Sequence, residues 1–398
     1  MKGSNTEVVR EKLEQATHLM KKHHVDTWLI MTREGSDPAL PLLVGVRSVH
    51  QAAIFLRNSG KHLVLTSKSD AGSYEATGLF EHVHIYEAAI EEKFLSIWKG
   101  LTIQKLALNI SEHDHLCDGF TFGLYTWLLN TVGKDALQQV ETSSEQMLSE
   151  LRSVKTSTEI ETIKNAVHAT TDIFETVHKK MKPYMTELEI GNLFVAEMKE
   201  RGVSSGLGGA YDPPLVCAVR HGLAHRKPSD RKVEPGDLVI VDFSLKYDDY
   251  VSDIARTIYF VRAGETEAPQ EIEHAFRTAH RAITASIEAL KVGKKGYEVD
   301  EVGRKVIEEA GYPTIRHSVG HQIGRATHDG GTILGPKRVP ARPAVEGTIR
   351  AGEVYAIEPT VIQDDGLPCM LVEENVLVTP DGPVILSKRQ EELWLVKE

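Results

Sequence analysis

The chain has 398 residues, a formal net charge of -11, 41% hydrophobic and 26% charged residues. That length exceeds what one hydrophobic core usually fills, so two domains are expected. The acidic balance argues against nucleic acid or an anionic membrane surface as the main partner, since both select clustered Lys and Arg. The opening MKGSNTEVVREKLEQ lacks the apolar core of a signal peptide, and no run approaches the ~20 apolar residues that span a bilayer. Cys117, Cys217 and Cys369 lie far apart without CxxC spacing and read as reduced thiols, so a cytoplasmic protein is expected.

In chain order, Thr6 to Lys22 carries apolar residues at helical spacing, and TWLIM (Thr27 to Met31) reads as a buried strand. QAAIFLR, KHLVLTS and KLALNI follow as further strands, which makes residues 1–152 an α/β domain. Its only polar cluster is Glu112-His113-Asp114-His115, and that reads as a loop, because neighbours on a strand point to opposite faces. A long helical pattern starts near Ser149, with Thr156, Ser157 and Thr158 as caps ahead of Glu159 and Glu161, and places the boundary at 152/153. Residues 153–398 read as an α+β domain with a helix from Glu187 to Arg201, a Gly-rich loop, a strand pair, two helices between Pro269 and Gly311, and strands to Trp394.

Two segments in this second domain carry carboxylates inside apolar strands. DLVIVDFSLKYDDYVSDIARTIYF reads as a hairpin turning at Tyr247 and Asp248, which sets Asp242 directly opposite Asp253, with Cβ atoms ~5 Å apart. VYAIEPTVIQDDGLPCMLVEENVLVT reads as a second hairpin turning at Asp365-Gly366, with Glu358 opposite Glu373. A one-residue change of register would put Glu374 in that place instead. Carboxylates are depleted from strand interiors and cost several kcal/mol to bury unpaired, so four of them imply a common counter-charge. The other reading sends each to solvent or to a nearby Arg such as Arg256.

HSVGHQIGRATHDGG groups His317, His321 and His328 between the two hairpins. Imidazole nitrogen with carboxylate oxygens suits Mn²⁺ best, with Co²⁺, Zn²⁺ or Fe²⁺ as alternatives. Two such ions ~3.5 to 4 Å apart would hold a water as hydroxide and polarise a carbonyl, which is amide-hydrolysis chemistry.

Asp242, Asp253 in SDIART, His321 in HSVGHQIG, Glu358 in IEP and Glu373 ahead of Thr379 resemble the five-ligand set of the pita-bread metallopeptidases, in order and spacing. The α/β half and the LRSVKTSTEI linker resemble the creatinase/prolidase branch of that family, which includes Xaa-Pro dipeptidases and aminopeptidases. The resemblance implies an α/β creatinase-like N-terminal domain, a pita-bread catalytic domain and two divalent metal ions per subunit. It implies that Asp242 and Glu373 bridge the ions, that Asp253 completes one site, and that His321 and Glu358 complete the other, with Glu358 as general base. His225 in HGLAHRKP would touch the scissile carbonyl or transition state, His317 would line the substrate pocket, and His328 would stabilise the carbonyl oxygen. Creatinase itself lacks the metal ligands.

Four positions depart from the family pattern: Ser244 and Thr360 stand where glycine is common, Ile362 replaces a frequent tyrosine, and Leu371 a frequent arginine. A dipeptidase must hold a free carboxylate beside proline. Arg220 and His221 in CAVRHGLAH are candidates for it, with a solvated loop as the other reading. The expected function is hydrolysis of the bond before proline in short proline-containing peptides, as a dipeptidase. The alternatives are an aminopeptidase acting on longer peptides and a non-catalytic pita-bread binding module. The family resemblance also implies a homodimer.

Overall fold

Strand β1 (Thr27–Thr32) is buried from end to end, which explains why its sequence runs apolar without alternation. Trp28 and Ile30 enter one core with Leu13, Leu19, Ile54 and Leu148, while Leu29 and Met31 enter another with Phe55, Leu65, Phe94 and Leu124. The computed structural model describes residues 2–209, 212–219, 226–340, 342–363 and 368–397. They divide into two units, Met1–Arg152 and Ser153–Glu398. In the first, β1 joins β2 (Ala52–Arg57), β3 (Leu63–Ser67), β4 (His82–Tyr86), β5 (Leu106–Leu108) and β6 (Glu141–Ser143) in a sheet of order β4-β3-β2-β1-β5-β6. The pairs β1-β2 and β2-β3 are antiparallel, and the others are parallel. The helix Lys2–Lys22 covers one face through Val9, Leu13, Ala16 and Leu19.

The helical pattern breaks at 154–156, giving Glu145–Ser153, which ends one residue past the first unit, and Ser157–His178 in the second. Thr156 caps the latter in a reciprocal box with Glu159, and Thr186 with Glu189 does the same for the helix Glu187–Arg201. Strands β7 (Ser204–Ser205), β8 (Leu215–Val219), β9 (Leu238–Phe243), β10 (Leu245–Tyr247), β11 (Tyr250–Val251) and β12 (Ile254–Phe260) follow. After the helices Gln270–Ala289 and Gly296–Glu309 come β13 (Gly320–Gln322), β14 (Val354–Ile357), β15 (Glu374–Thr379), β16 (Gly382–Ile385) and β17 (Trp394–Val396). The strands form sheets of order β17-β12-β9-β8, β13-β14-β15-β16 and β11-β10-β7. The two helices pack on them through Ile272, Phe276, Ile283 and Ile307 against Tyr259, Ile357 and Val376. Among the described residues no helix is long and apolar enough to cross a membrane.

The first carboxylate hairpin is registered differently from the sequence expectation. Tyr247 pairs with Tyr250 and Asp242 with Ala255, so Asp253 lies diagonal to Asp242 instead of opposite it. The turn falls on Asp248 and Asp249, at φ 43° and 67°. Positive φ at both central positions is the two-residue hairpin geometry that Asp tolerates, and it moves the turn one residue along from Tyr247-Asp248. In the second hairpin Ile357 pairs with Glu374 and Val361 with Met370. Continued by one residue, that register sets Glu358 across from Glu373.

Candidate metal centre

The two hairpins and β13 converge on one buried cluster. Ligand atoms of Asp253, His321 and Glu373 all lie within 4.8 Å of one another. His321 Nε2 is 3.5 Å from Asp253 Oδ2 and 3.7 Å from Glu358 Oε1. Asp253 and Glu373 are 5% and 2% exposed, and the Glu358 side chain is 23% exposed, which makes it the more open of these carboxylates. Asp242 is half-buried on β9 and repels all three of the other carboxylates.

The charges make this a strained place without a cation. Burial, then repulsion from Asp242, pushes the Glu358 carboxyl up to about 8. Burial pushes Asp253 and Glu373 well above the carboxylate range, with Asp242 and Glu358 adding to both and Arg256 partly relieving Glu373. Burial, with His328 nearby, drives His321 down to about 3, so its ring is neutral. Its Nδ1 turns to the carbonyl of Gln322 at 3.4 Å, which leaves the Nε2 lone pair facing carboxylate oxygens. A lone pair among acidic oxygens is repulsive until a proton or a metal ion sits between them. A neutral imidazole, several hard oxygens and a shortage of positive charge together form a donor set that fits divalent cations.

Glu374 belongs to the other face of β15. Its carboxylate meets Arg256 at 3.3 Å and accepts from Ser387 Oγ, so Arg256 neutralises this glutamate and offers Glu373 a donor only to its main-chain carbonyl, at 2.7 Å. His328 is exposed, and its ring centroid lies 4.3 Å from that of His321. His317 is fixed through Nδ1 to the Ser318 carbonyl at 2.7 Å and through Nε2 to Thr360 Oγ1 at 3.0 Å. Arg304, itself paired with Asp300, holds the His317 carbonyl at 3.0 Å. Arg220, His221 and His225 lie outside the described residues. Glu112 to His115 form a local turn in which Asp114 accepts the Leu116 N–H at 2.9 Å.

Several supports have no signature in the sequence. Asn375 takes both the N–H and the carbonyl of Asp253, at 3.1 and 2.6 Å. Thr257 Oγ1 bridges the backbone of Leu371, and the Glu373 N–H donates to the Ala255 carbonyl at 3.1 Å. These contacts join residues more than a hundred positions apart, so only the folded chain reveals them. Of the four departures, Ser244 Oγ donates to the Ser252 carbonyl at 2.7 Å beside Asp253. Leu371 and Ile362 pack with Val219, Ile240, Ala255 and Cys369 in an apolar cluster.

The sequence profile of metallopeptidase family M24 matches residues 161–380. An Xaa-Pro dipeptidase of Pyrococcus furiosus is 30% identical over 309 residues, 77% of this chain and 83% of that protein. An uncharacterized peptidase of Staphylococcus aureus is 25% identical, over 84% of this chain and 87% of its own. Among solved structures, an X-Pro aminopeptidase from Thermotoga maritima superposes with TM-score 0.76 at 22% identity, covering 95% of this chain and all of that one. An Xaa-Pro dipeptidase from Bacillus anthracis gives TM-score 0.77 at 22% identity, covering 98% and 100%. These likenesses show the fold: an α/β N-terminal part followed by an α+β pita-bread domain.

Proposed function

The chain belongs to metallopeptidase family M24, and from that premise we propose that this peptidase is a dinuclear-metal Xaa-Pro dipeptidase cleaving the bond before proline in short peptides. The observation that carries this reading is the convergence of Asp253, His321 and Glu373 within 4.8 Å, with Asp242 and Glu358 repelling into the same cluster. Asp242, Asp253, His321, Glu358 and Glu373 are the residues that would hold the ions. Two divalent ions bound there, Mn²⁺ by preference, would supply Lewis acidity and an activated water at neutral pH.

The remaining roles belong to the chain itself. Glu358, with 23% of its side chain exposed beside the more deeply buried Asp253 and Glu373, is the group we assign to take and return the proton. His328, exposed beside His321, is the group we assign to donate to the substrate carbonyl oxygen, and we assign His317, its ring held by Thr360 and its carbonyl by Arg304, to the wall of the pocket. The free, buried cysteines support a reducing cytoplasmic setting, and the homodimer remains part of the proposal.

One observation favours an aminopeptidase as the second reading. Leu371 and Ile362, at positions where the family pattern frequently carries arginine and tyrosine, pack in an apolar cluster and offer no cation to a substrate carboxylate. The test strips the protein with chelator, restores Mn²⁺, and compares proline release from an Xaa-Pro dipeptide with N-terminal release from an Xaa-Pro-Xaa tripeptide, using Glu358→Ala as blank. Metal-dependent cleavage of the dipeptide alone is expected. Cleavage of the tripeptide would establish the second reading, and cleavage of neither would return the domain to a binding role.

A further inference from the structure

Asp253 sits in the gap between β11 and β12, where the strand ladder is interrupted. Its backbone still needs a donor and an acceptor, because it is buried at 5% exposure. Both come from one side chain. Asn375 Nδ2 donates to the Asp253 carbonyl at 2.6 Å, and the Asp253 N–H donates to Asn375 Oδ1 at 3.1 Å. The carboxamide therefore replaces the missing ladder partner as a peptide group would. Asn375 is itself 0% exposed and anchored by its main chain, with its N–H on Ser387 Oγ at 3.1 Å and its carbonyl accepting from Leu386 at 2.8 Å.

We infer that Asn375 is a positioning residue that sets the Asp253 carboxylate against Glu373 and His321, and thereby sets the affinity of the metal pair. The inference rests on the metal-dependent reading above. Asn375 lies on β15 two residues beyond Glu373, and Asp253 precedes β12, so this amide fixes the distance between ligands carried by different hairpins. Other stitches between the hairpins, from Thr257 to Leu371 and from Glu373 to Ala255, grip neighbouring residues. Among the described contacts, the amide of Asn375 alone holds both backbone groups of Asp253. Groups that orient metal ligands typically change affinity by about 10- to 100-fold when removed.

The decisive variant is Asn375→Asp in the full chain. It keeps the size and the acceptor facing the Asp253 N–H, but replaces the donor with an oxygen that repels the Asp253 carbonyl. It also adds a negative charge beside the cluster, which by Coulomb attraction alone would tighten cation binding. The two effects have opposite signs. Calorimetric titration of chelator-treated protein with Mn²⁺ is expected to show about 10-fold weaker binding or more, and the Mn²⁺ electron paramagnetic spectrum should lose its spin-coupled pattern. Tighter or unchanged binding would overturn the inference. Ser387→Ala serves as the control, since it loosens the same strand without touching Asp253; an equal loss of affinity there would reduce Asn375 to general support and also overturn it. Wild-type protein that binds no Mn²⁺ would remove the metal-dependent reading together with this one, whereas wild-type binding that Asn375→Asp leaves intact would remove this one alone.

Discussion

Arg256 and Glu374 form an ion pair with 1% of each side chain exposed and 3.3 Å between nitrogen and oxygen. Arg256 also donates to the carbonyls of Glu373 and Lys388, at 2.7 and 2.8 Å. Removing one member leaves a buried charge without its partner, which typically costs about 3–5 kcal/mol. Arg256→Met should therefore lower unfolding stability by that amount in urea titration, and Arg256→Met with Glu374→Leu should recover much of it. A single variant as stable as wild type would deny the pair its structural role.

The metal-free protein should lose stability as pH rises through neutrality. Glu358 has an ordinary value of 4.5 and is raised to about 8 in the folded chain, so between these values the folded state holds a proton that the unfolded state has released. Stability then falls with increasing pH across that window. His321 acts in the opposite sense, since its depression from 6.5 to about 3 makes stability rise with pH up to about 6.5. Between pH 6.5 and 8 the carboxylates act alone of the two, and melting temperature after chelation should drop there. Glu358→Gln should flatten the slope, as should saturating Mn²⁺. A slope unchanged in Glu358→Gln would refute the assignment.

Thr360 Oγ1 is shared between the Glu358 carbonyl at 2.9 Å and His317 Nε2 at 3.0 Å. Thr360→Val keeps the volume and removes the hydroxyl, so that His317 Nε2 loses this partner while Nδ1 keeps the Ser318 carbonyl. The expected result is a rise in KM of roughly 10-fold, the equivalent of about 1.4 kcal/mol, with kcat changed much less and Thr360→Ser close to wild type. Steady-state kinetics on proline-containing peptides measures it, and identical KM values in all three would sink it.

Lys155 and Asp329 pair at 3.1 Å with 0% and 3% of their side chains exposed. A Cβ at Gly324 would stand 2.0 Å from Asp329 Oδ2 and 2.8 Å from Lys155 Cε. Gly324→Ala must displace this pair and should cost about 3 kcal/mol or more, visible as a lower denaturation midpoint. A midpoint within error of wild type would show that the pair yields freely.

What the sequence made legible depended on how local each signal was. Trp28 to Met31 and the helices of the second unit carry their periodicity and caps within a few residues, and they lie where those signals place them. His82–Tyr86 and Glu141–Ser143 are short and polar edge strands that pairing alone defines, so no residue pattern announced them. In the first hairpin, YDDY offers two adjacent turns, and a turn displaced by one residue shifts the pairing by two. That even shift keeps Asp242 and the partner line of Asp253 on one face, although it abolishes their direct opposition. Asn375 and Thr257 act through contacts with distant backbone, for which a linear pattern has no counterpart.

The capping box at Thr156 carries an implication for where this chain can be cut. The first turn of Ser157–His178 is closed by its own residues, Thr156 and Glu159, and needs no preceding helix to satisfy it. The three residues before it are already committed to the second unit, with the Lys155 N–H on the Gly352 carbonyl at 2.9 Å and its ammonium on Asp329. The seam for recombining this peptidase module with another N-terminal partner therefore lies ahead of Ser153. A graft beginning at the cap would be three residues short and would lose the Lys155 contacts with Asp329 and with the Gly352 carbonyl.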